Sequence, residues 1–352
     1  MNNKMLKNKS TPLVSILIVN YNYARFIGEA IESALNQDYE NYEIIICDDG
    51  SKDESTEIIS RYASEHPNKI RYIFKENGGQ GSALNKAYEQ SKGDIIAILD
   101  ADDIFTTNKL RRVVQQFLAH PEVGLIINKL IKVDTNNRVI GSVPQFGKLD
   151  NGDLREQILN SGGYWSSAPA SGLTFKREYA DLVFPIPENL FMREADAYLF
   201  TQIPLFCQVY SIEEPLGYYR VHLNNLTATN KVDIPWCERV ISSLERKCIA
   251  LKNTAQKYGW TEPKIEYNPL YWEMVTIRDY LEGQNEVSNR IQNLKKLLHT
   301  IKMCQTVNRN KTFIKFLVIG LAVLLPKVLG LRIIERVYLP NNLKQRVSKL
   351  VK

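Results

Sequence analysis

Short apolar runs alternate with helically spaced apolar positions through the first third of the chain. Val14-Ser-Ile-Leu-Ile-Val19 is a β-branched run of the kind a strand buried on both faces shows. Phe26, Ile27, Ala30, Ile31, Ala34 and Leu35 follow at helical spacing. Tyr42–Cys47 reads as a second strand, and Ser51-Lys-Asp-Glu54 has the form of a capping box opening a helix to about Ser64. Ile70–Phe74, Ile95–Leu99 and Val123–Ile127 read as further strands, with helices over Gly81–Gln90 and Leu110–Leu118 between them. Strand and helix in regular order predict a mostly parallel sheet flanked by helices.

Such sheets bind ligands beyond the carboxyl ends of their strands. Those ends read Asn20-Tyr21-Asn22, Asp48-Asp49-Gly50-Ser51, Asn77-Gly78-Gly79 and Asp100-Ala101-Asp102-Asp103. A dinucleotide-binding domain would carry GxGxxG after the first strand. Here no glycine occurs before Gly28, and no P-loop lysine motif exists. Three carboxylates within Asp100–Asp103 repel one another unless a cation joins them. Oxygen-preferring Mg²⁺ or Mn²⁺ commonly bridges such carboxylates to a diphosphate. The competing reading is a solvated loop with Asp103 capping the next helix.

These elements together resemble the family 2 glycosyltransferases of the GT-A fold. The resemblance rests on Val19-Asn-Tyr-Asn22, Cys47-Asp-Asp-Gly-Ser51, Asn77-Gly-Gly79 and Leu99-Asp-Ala-Asp-Asp103, and covers roughly residues 12–225. It implies that Tyr21, Asn22 and Asp49 meet the nucleoside, with Asn20 and Gly79 also at nucleotide-binding positions. Asp49 accepting an imide N–H would favour uracil or thymine; a turn with a helix cap is the other reading of Asp48, Asp49 and Ser51. Asp100 would face the ribose and Asp102 the metal. Many relatives carry an arginine in the helix after the NxG element. Ser82-Ala-Leu-Asn-Lys86 stands here, which leaves Lys86 or backbone amides to meet the diphosphate.

Further along, Ser161–Phe175 is rich in small residues around Tyr164 and Trp165, which suits an acceptor wall including Trp165 and Ser171. A plain loop with a core tryptophan is the alternative. Glu194-Ala195-Asp196, ahead of an apolar helix, resembles the family's acidic element. It implies Asp196 as catalytic base and Glu194 as its substitute; helix-terminal charge is the competing reading. Tyr219-Arg220-Val221-His222 resembles an element that implies His222 as a metal ligand beside Asp102 and Arg220 at the diphosphate.

The expected organisation is a disordered arm over 1–11, a GT-A domain over 12–230 and a helical extension over 231–352. The domain divides into a nucleotide half, 12–128, and an acceptor half, 129–230. The basic-flanked segment 313–331 reads as a helix lying on a membrane surface, or as core; its apolar run 313–325 falls short of the about 20 residues a span needs. A net charge of +6 does not argue for nucleic acid. Five scattered cysteines and a polar N-terminus without an apolar leader fit a cytoplasmic protein, on the inner face of the membrane if 313–331 docks there.

The expected activity is transfer of a sugar from a UDP- or dTDP-sugar, with Mn²⁺ or Mg²⁺, to a saccharide or lipid-linked acceptor in surface polysaccharide or glycoconjugate assembly, with inversion. A nucleotidyltransferase and a non-catalytic carbohydrate-binding protein are the alternatives. The first should begin with a basic glycine-rich loop, and the second need not keep Asp102, Asp196 and His222.

Overall fold

The structure, a computed structural model, describes residues 11–143, 148–222, 225, 231–283, 287–303 and 311–338. The expected N-terminal arm lies outside these except for Thr11. The chain divides into two compact units. The first takes the described residues up to 145, with 149–155 and 167–220; the second takes 148, 156–166 and those from 221 onward.

The first unit begins as the sequence pattern predicts. β1 (Val14–Asn20), α1 (Ala24–Leu35), β2 (Tyr42–Asp48), α2 (Ser55–Glu65), β3 (Ile70–Phe74), α3 (Gln80–Gln90) and β4 (Ile95–Asp100) alternate. β1 pairs in parallel with β2 and β4, and β2 in parallel with β3. Ile16 and Ile18 of β1 meet Ile44 and Ile46 of β2 and are fully buried, as are Leu17 and Ile45 between them. Burial on both faces is why these strands read as continuous apolar runs.

The second half of the sheet is mixed. After β5 (Ile104–Phe105) and α4 (Lys109–Ala119) come β6 (Val123–Val133), β7 (Val139–Val143), α5 (Arg155–Asn160), β8 (Leu173–Lys176), α6 (Arg177–Ala180), α7 (Ala195–Gln202) and β9 (Gln208–Arg220). β8 lies antiparallel between β4 and β6, and β9 runs parallel to β6 and antiparallel to β5. The strand order is β3-β2-β1-β4-β8-β6-β9-β5, with β7 on β6.

The expected capping box does not form. α2 begins at Ser55, and its N-cap, Glu54, makes no side-chain cap bond. The Asp53 carboxylate instead accepts from the Ser55 N–H at 3.1 Å and the Ala24 N–H at 2.9 Å, tying α2 to α1. Ser51 is drawn into the site described below.

The second unit is helical: α8 (Ile234–Tyr258), α9 (Pro269–Glu282), α10 (Val287–Met303), α11 (Lys311–Ala322) and α12 (Lys327–Tyr338). Asp233 caps α8 through the Trp236 N–H, and Asn268 caps α9 through the Leu270 and Tyr271 N–H groups. Its core joins Trp236, Ile241, Met274, Ile277, Tyr280, Ile319, Val323 and Ile334. Segment 156–166, with Tyr164 and Trp165, groups with these helices. The stretch 313–331 is two helices broken at Pro326.

Candidate active site

The loops after β1, β2 and β3 are cross-tied at one end of the sheet. Asn20 Nδ2 donates to Asp48 Oδ2 at 2.7 Å and to Ser51 Oγ at 3.1 Å. Ser51 Oγ donates to Asp48 Oδ2 at 2.6 Å and accepts from the Asn22 N–H at 2.8 Å. The Asn22 side chain accepts from the Lys52 N–H at 2.7 Å, with Asn22 in the left-handed region at φ 57°, which asparagine tolerates. Asn20 is therefore a buried brace between the loops. Its Oδ1 is buried without a hydrogen-bond partner. Tyr21, 46% exposed, and Asn22 are the residues of this loop that face solvent.

Asp49 is almost wholly buried and clamps the NxG loop. Its carboxylate accepts from Gly78 N at 2.9 Å, Gly79 N at 2.8 Å and Lys75 Nζ at 2.7 Å. Gly79 has φ +90°, and a Cβ there would lie 2.3 Å from the Met192 carbonyl. Its glycine is required by the 191–194 segment crossing over α3. Lys86, expected at the diphosphate, stands on the surface paired with Glu89 at 2.7 Å.

The acidic loop after β4 is held from beneath. Ser171 Oγ donates to Asp103 Oδ2 at 2.6 Å and accepts from the Asp100 N–H at 3.0 Å. Ser171 is fully buried and supports this loop. Asp103 Oδ1 accepts from the Arg220 N–H at 2.9 Å, and the N-cap of α4 is Asn108, not Asp103. Arg220, 1% exposed, donates from Nε to the Asp102 carbonyl at 2.8 Å, from Nη1 to Asn137 at 2.7 Å and from Nη2 to Glu29 at 2.8 Å. Its guanidinium lies 4.8 Å from the Phe26 ring centre. That work holds the loop from beneath. Lys109, fully buried, donates to Asn128 Oδ1 at 2.7 Å and to the Ser171 carbonyl at 2.9 Å. Burial pushes its pKa down to about 7.

Four carboxylates gather at this loop. Burial, with Asp103, Asp102 and Asp196 beside it, holds the Asp100 carboxyl well above the usual carboxylate range. Burial and Asp102 do the same to Asp103, against the opposing pull of Ser171 and Arg220. Tyr23 is raised too, by burial and by Asp102 and Asp100. Asp196 enters from the first turn of α7. The preceding Glu194 sits at φ 59°, ψ 42°, a left-handed conformation costly for a side chain of this size, at the point where the chain turns into α7. The Ala195 N–H is fixed by Gln80 Oε1 at 2.9 Å. Among the described residues no three His, Cys, Asp or Glu side chains are arranged to hold a metal ion.

The sequence profile of glycosyl transferase family 2 matches residues 15–195. The chain belongs to this family. A glycosyltransferase of Nostoc sp. is 37% identical over 209 residues, covering 59% of this chain and 65% of that relative. Chondroitin synthase of Escherichia coli is 34% identical over 134 residues, 38% of this chain and 19% of the synthase. The family 2 chain thus spans less than two thirds of these relatives.

Among solved structures, Staphylococcus aureus TarS 1–349 in complex with UDP superposes at a TM-score of 0.53 with 15% identity, covering 92% and 90% of the two chains. The mannosyltransferase PcManGT of Pyrobaculum calidifontis, in complex with GDP-Man and Mn²⁺, gives 0.50 with 18% identity over 85% and 76%. The family 2 fold is therefore GT-A.

Two remaining expected site residues fall in the second unit. Trp165 is buried there, and His222 stands two residues beyond β9 with its N–H donating to Asn225 Oδ1 at 2.5 Å. Sequence reasoning missed Lys75, Lys109, Glu29 and Asn137. None lies in a motif. Lys109 alone carried a signal, a lysine at the buried position of an otherwise amphipathic helix.

Proposed function

We propose that this chain is an inverting glycosyltransferase that moves a sugar from a nucleotide diphosphate sugar to an acceptor hydroxyl. The observation that supports this best is the Asp196 carboxylate, brought by α7 into electrostatic reach of the Asp100–Asp103 loop at the carboxyl edge of the sheet. One carboxylate on a separate element can serve the acceptor while the loop serves the donor.

Exposed Tyr21 offers a face for the base, and Asp49, through the Gly78 and Gly79 amides, shapes the loop beside it. Asp100 lies on the ribose side. A UDP- or dTDP-sugar is the donor class, in line with the UDP bound to TarS. Asp196 accepts the proton of the acceptor hydroxyl as that oxygen attacks the anomeric carbon and the diphosphate departs from the opposite face. Inversion follows from the single displacement.

Mn²⁺ or Mg²⁺ fits the donor set. Crowded, desolvated carboxylates favour a cation, yet three protein ligands are not arranged for one among the described residues. A hard divalent ion shared with a diphosphate needs only one or two carboxylates. Asp102 would hold it, and when bound it would offset the charge of the departing diphosphate. The acceptor is a saccharide or lipid-linked saccharide in surface polysaccharide or glycoconjugate assembly, with the enzyme in the cytoplasm and in peripheral contact with the membrane.

The test is transfer from a nucleotide-sugar panel with Mn²⁺, repeated with Asp196→Asn and Asp102→Asn. Asp196→Asn should lower kcat by about 10²–10⁴-fold and leave donor affinity intact. Asp102→Asn should abolish metal-supported turnover. Full activity of both variants, or in excess chelator, would refute this assignment.

A further inference from the structure

Four leucines project from the second unit around the turn joining α11 to α12. Leu321 is 63% exposed and Leu329 52%, with Leu324 and Leu325 also exposed between them. Their chain neighbours Ile319, Ala322, Val323 and Ile334 point the other way, into the core with Met274, Ile277 and Tyr280. The turn is held firmly. The Tyr280 hydroxyl donates to the Leu325 carbonyl at 3.0 Å, and the Lys327 ammonium bonds the Leu281 carbonyl. At Gly330 a Cβ would lie 2.2 Å from the Ala322 carbonyl, so the two helices meet closely there. The helices are pinned by one face while four leucines stand in solvent on the other. Single exposed leucines are ordinary; four within nine residues form an apolar patch that calls for an occupant.

Charge identifies the occupant. Residues 287–352 carry fourteen of the chain's 45 lysines and arginines but, in Glu335, only one of its 39 acids. The first 286 residues therefore hold 31 basic against 38 acidic side chains, a net negative balance, while the last 66 are strongly positive. Lys327, Arg332 and Arg336 stand exposed beside the leucines. Leucines rimmed by cations match the headgroup-to-acyl boundary of an anionic bilayer. No helix among the described residues is long and apolar enough to cross a membrane.

We propose that the α11–α12 turn docks on an anionic lipid bilayer. Leu321, Leu324, Leu325 and Leu329 enter the interface, and Arg332 and Arg336 meet lipid phosphates. This deepens the membrane contact of the preceding reading but rests on surface chemistry alone, so vesicle binding can succeed or fail whether or not the chain transfers sugar.

The full chain is floated with vesicles of equal parts phosphatidylglycerol and phosphatidylcholine, and with pure phosphatidylcholine. It should follow the anionic vesicles and leave the neutral ones. Joint Leu321→Gln, Leu325→Gln and Leu329→Gln substitution should lower the partition coefficient by about tenfold or more, since each removes apolar area from the interface. The separate pair Arg332→Gln with Arg336→Gln should weaken binding and flatten its salt dependence. Equal binding to both vesicle types, or unchanged binding by both variants, overturns the proposal. So does a result in which the leucine variant turns an oligomer into a monomer by sedimentation velocity and keeps its vesicle affinity, because the patch is then a self-association surface.

Discussion

Replacing Ser171 by alanine separates the structural role seen here from the acceptor contact its sequence context suggests. The hydroxyl has two partners, Asp103 Oδ2 at 2.6 Å and the Asp100 N–H at 3.0 Å, and no exposed surface. Alanine removes a hydrogen bond to a buried carboxylate, about 1.5–3 kcal/mol, and leaves a buried N–H without that acceptor, about 1–3 kcal/mol. Some relaxation returns part of this, so a net loss of about 3 kcal/mol is expected, with little cavity because only one oxygen is deleted. For a unit of this size about 3 kcal/mol lowers the midpoint by about 6–12 °C. Calorimetric or urea unfolding reads the stability, and steady-state transfer at varied acceptor reads the kinetics. The acidic loop should loosen, so kcat should fall while acceptor KM changes little. A variant with wild-type stability and only a raised acceptor KM would refute the brace and restore Ser171 to the acceptor site.

Lys109→Met tests the buried ammonium. With a folded pKa of about 7 and an unfolded value near 10.4, the unfolded chain holds the extra proton between those values. Wild-type stability should therefore gain up to about 1.4 kcal/mol per pH unit from Lys109 as pH rises through that window, and the methionine variant should lose that gain; an unchanged slope in pH-dependent urea melts contradicts it. Glu194→Gly relieves a left-handed residue, so stability should rise by about 0.5–1 kcal/mol with kcat retained. A stable but inactive glycine variant would instead make Glu194 the base. Asp49→Ala strands two backbone amides and Lys75, which should cost about 2–3 kcal/mol of stability together with nucleotide affinity. Loss of affinity by calorimetry at unchanged stability would leave direct base contact as its role.

The parallel half of the sheet was legible because β1, β2 and β4 are buried on both faces and its loops are short. Ile16, Ile44 and Ile96 announce themselves as β-branched runs, and Asp48, Asp49 and Asp100–Asp103 follow directly. The mixed half was not. β9 pairs with β6 through register shifts around Lys129 and Pro215, which erase any alternation a reader could follow. The roles of individual residues were less legible still. Asn20, Asp49, Ser171 and Arg220 were expected at a ligand, and each is buried in hydrogen bonds that hold one loop to another. Polar residues beside a ligand site and polar residues supporting it look alike in sequence, since both stand in the same loops.

The acidic loop shows why the distinction matters. Its motif is four consecutive residues, yet its shape is fixed by partners that sequence proximity could not supply. Arg220 reaches the Asp102 carbonyl across 118 positions, Asn137 across 83 and Glu29 across 191. Ser171 reaches Asp103 across 68. These contacts fix the main chain of the loop, so the Asp102 carboxylate departs from a backbone that is already set. A like-charged cluster would otherwise spread its side chains apart to lower repulsion. Holding it together requires that the surrounding fold supply the opposing energy, and one buried arginine at the end of β9 and one buried serine in the turn before β8 do so. The antiparallel insertion of β8 and the return of β9 therefore belong to the site as much as the acidic residues themselves, because they deliver those two side chains beneath it.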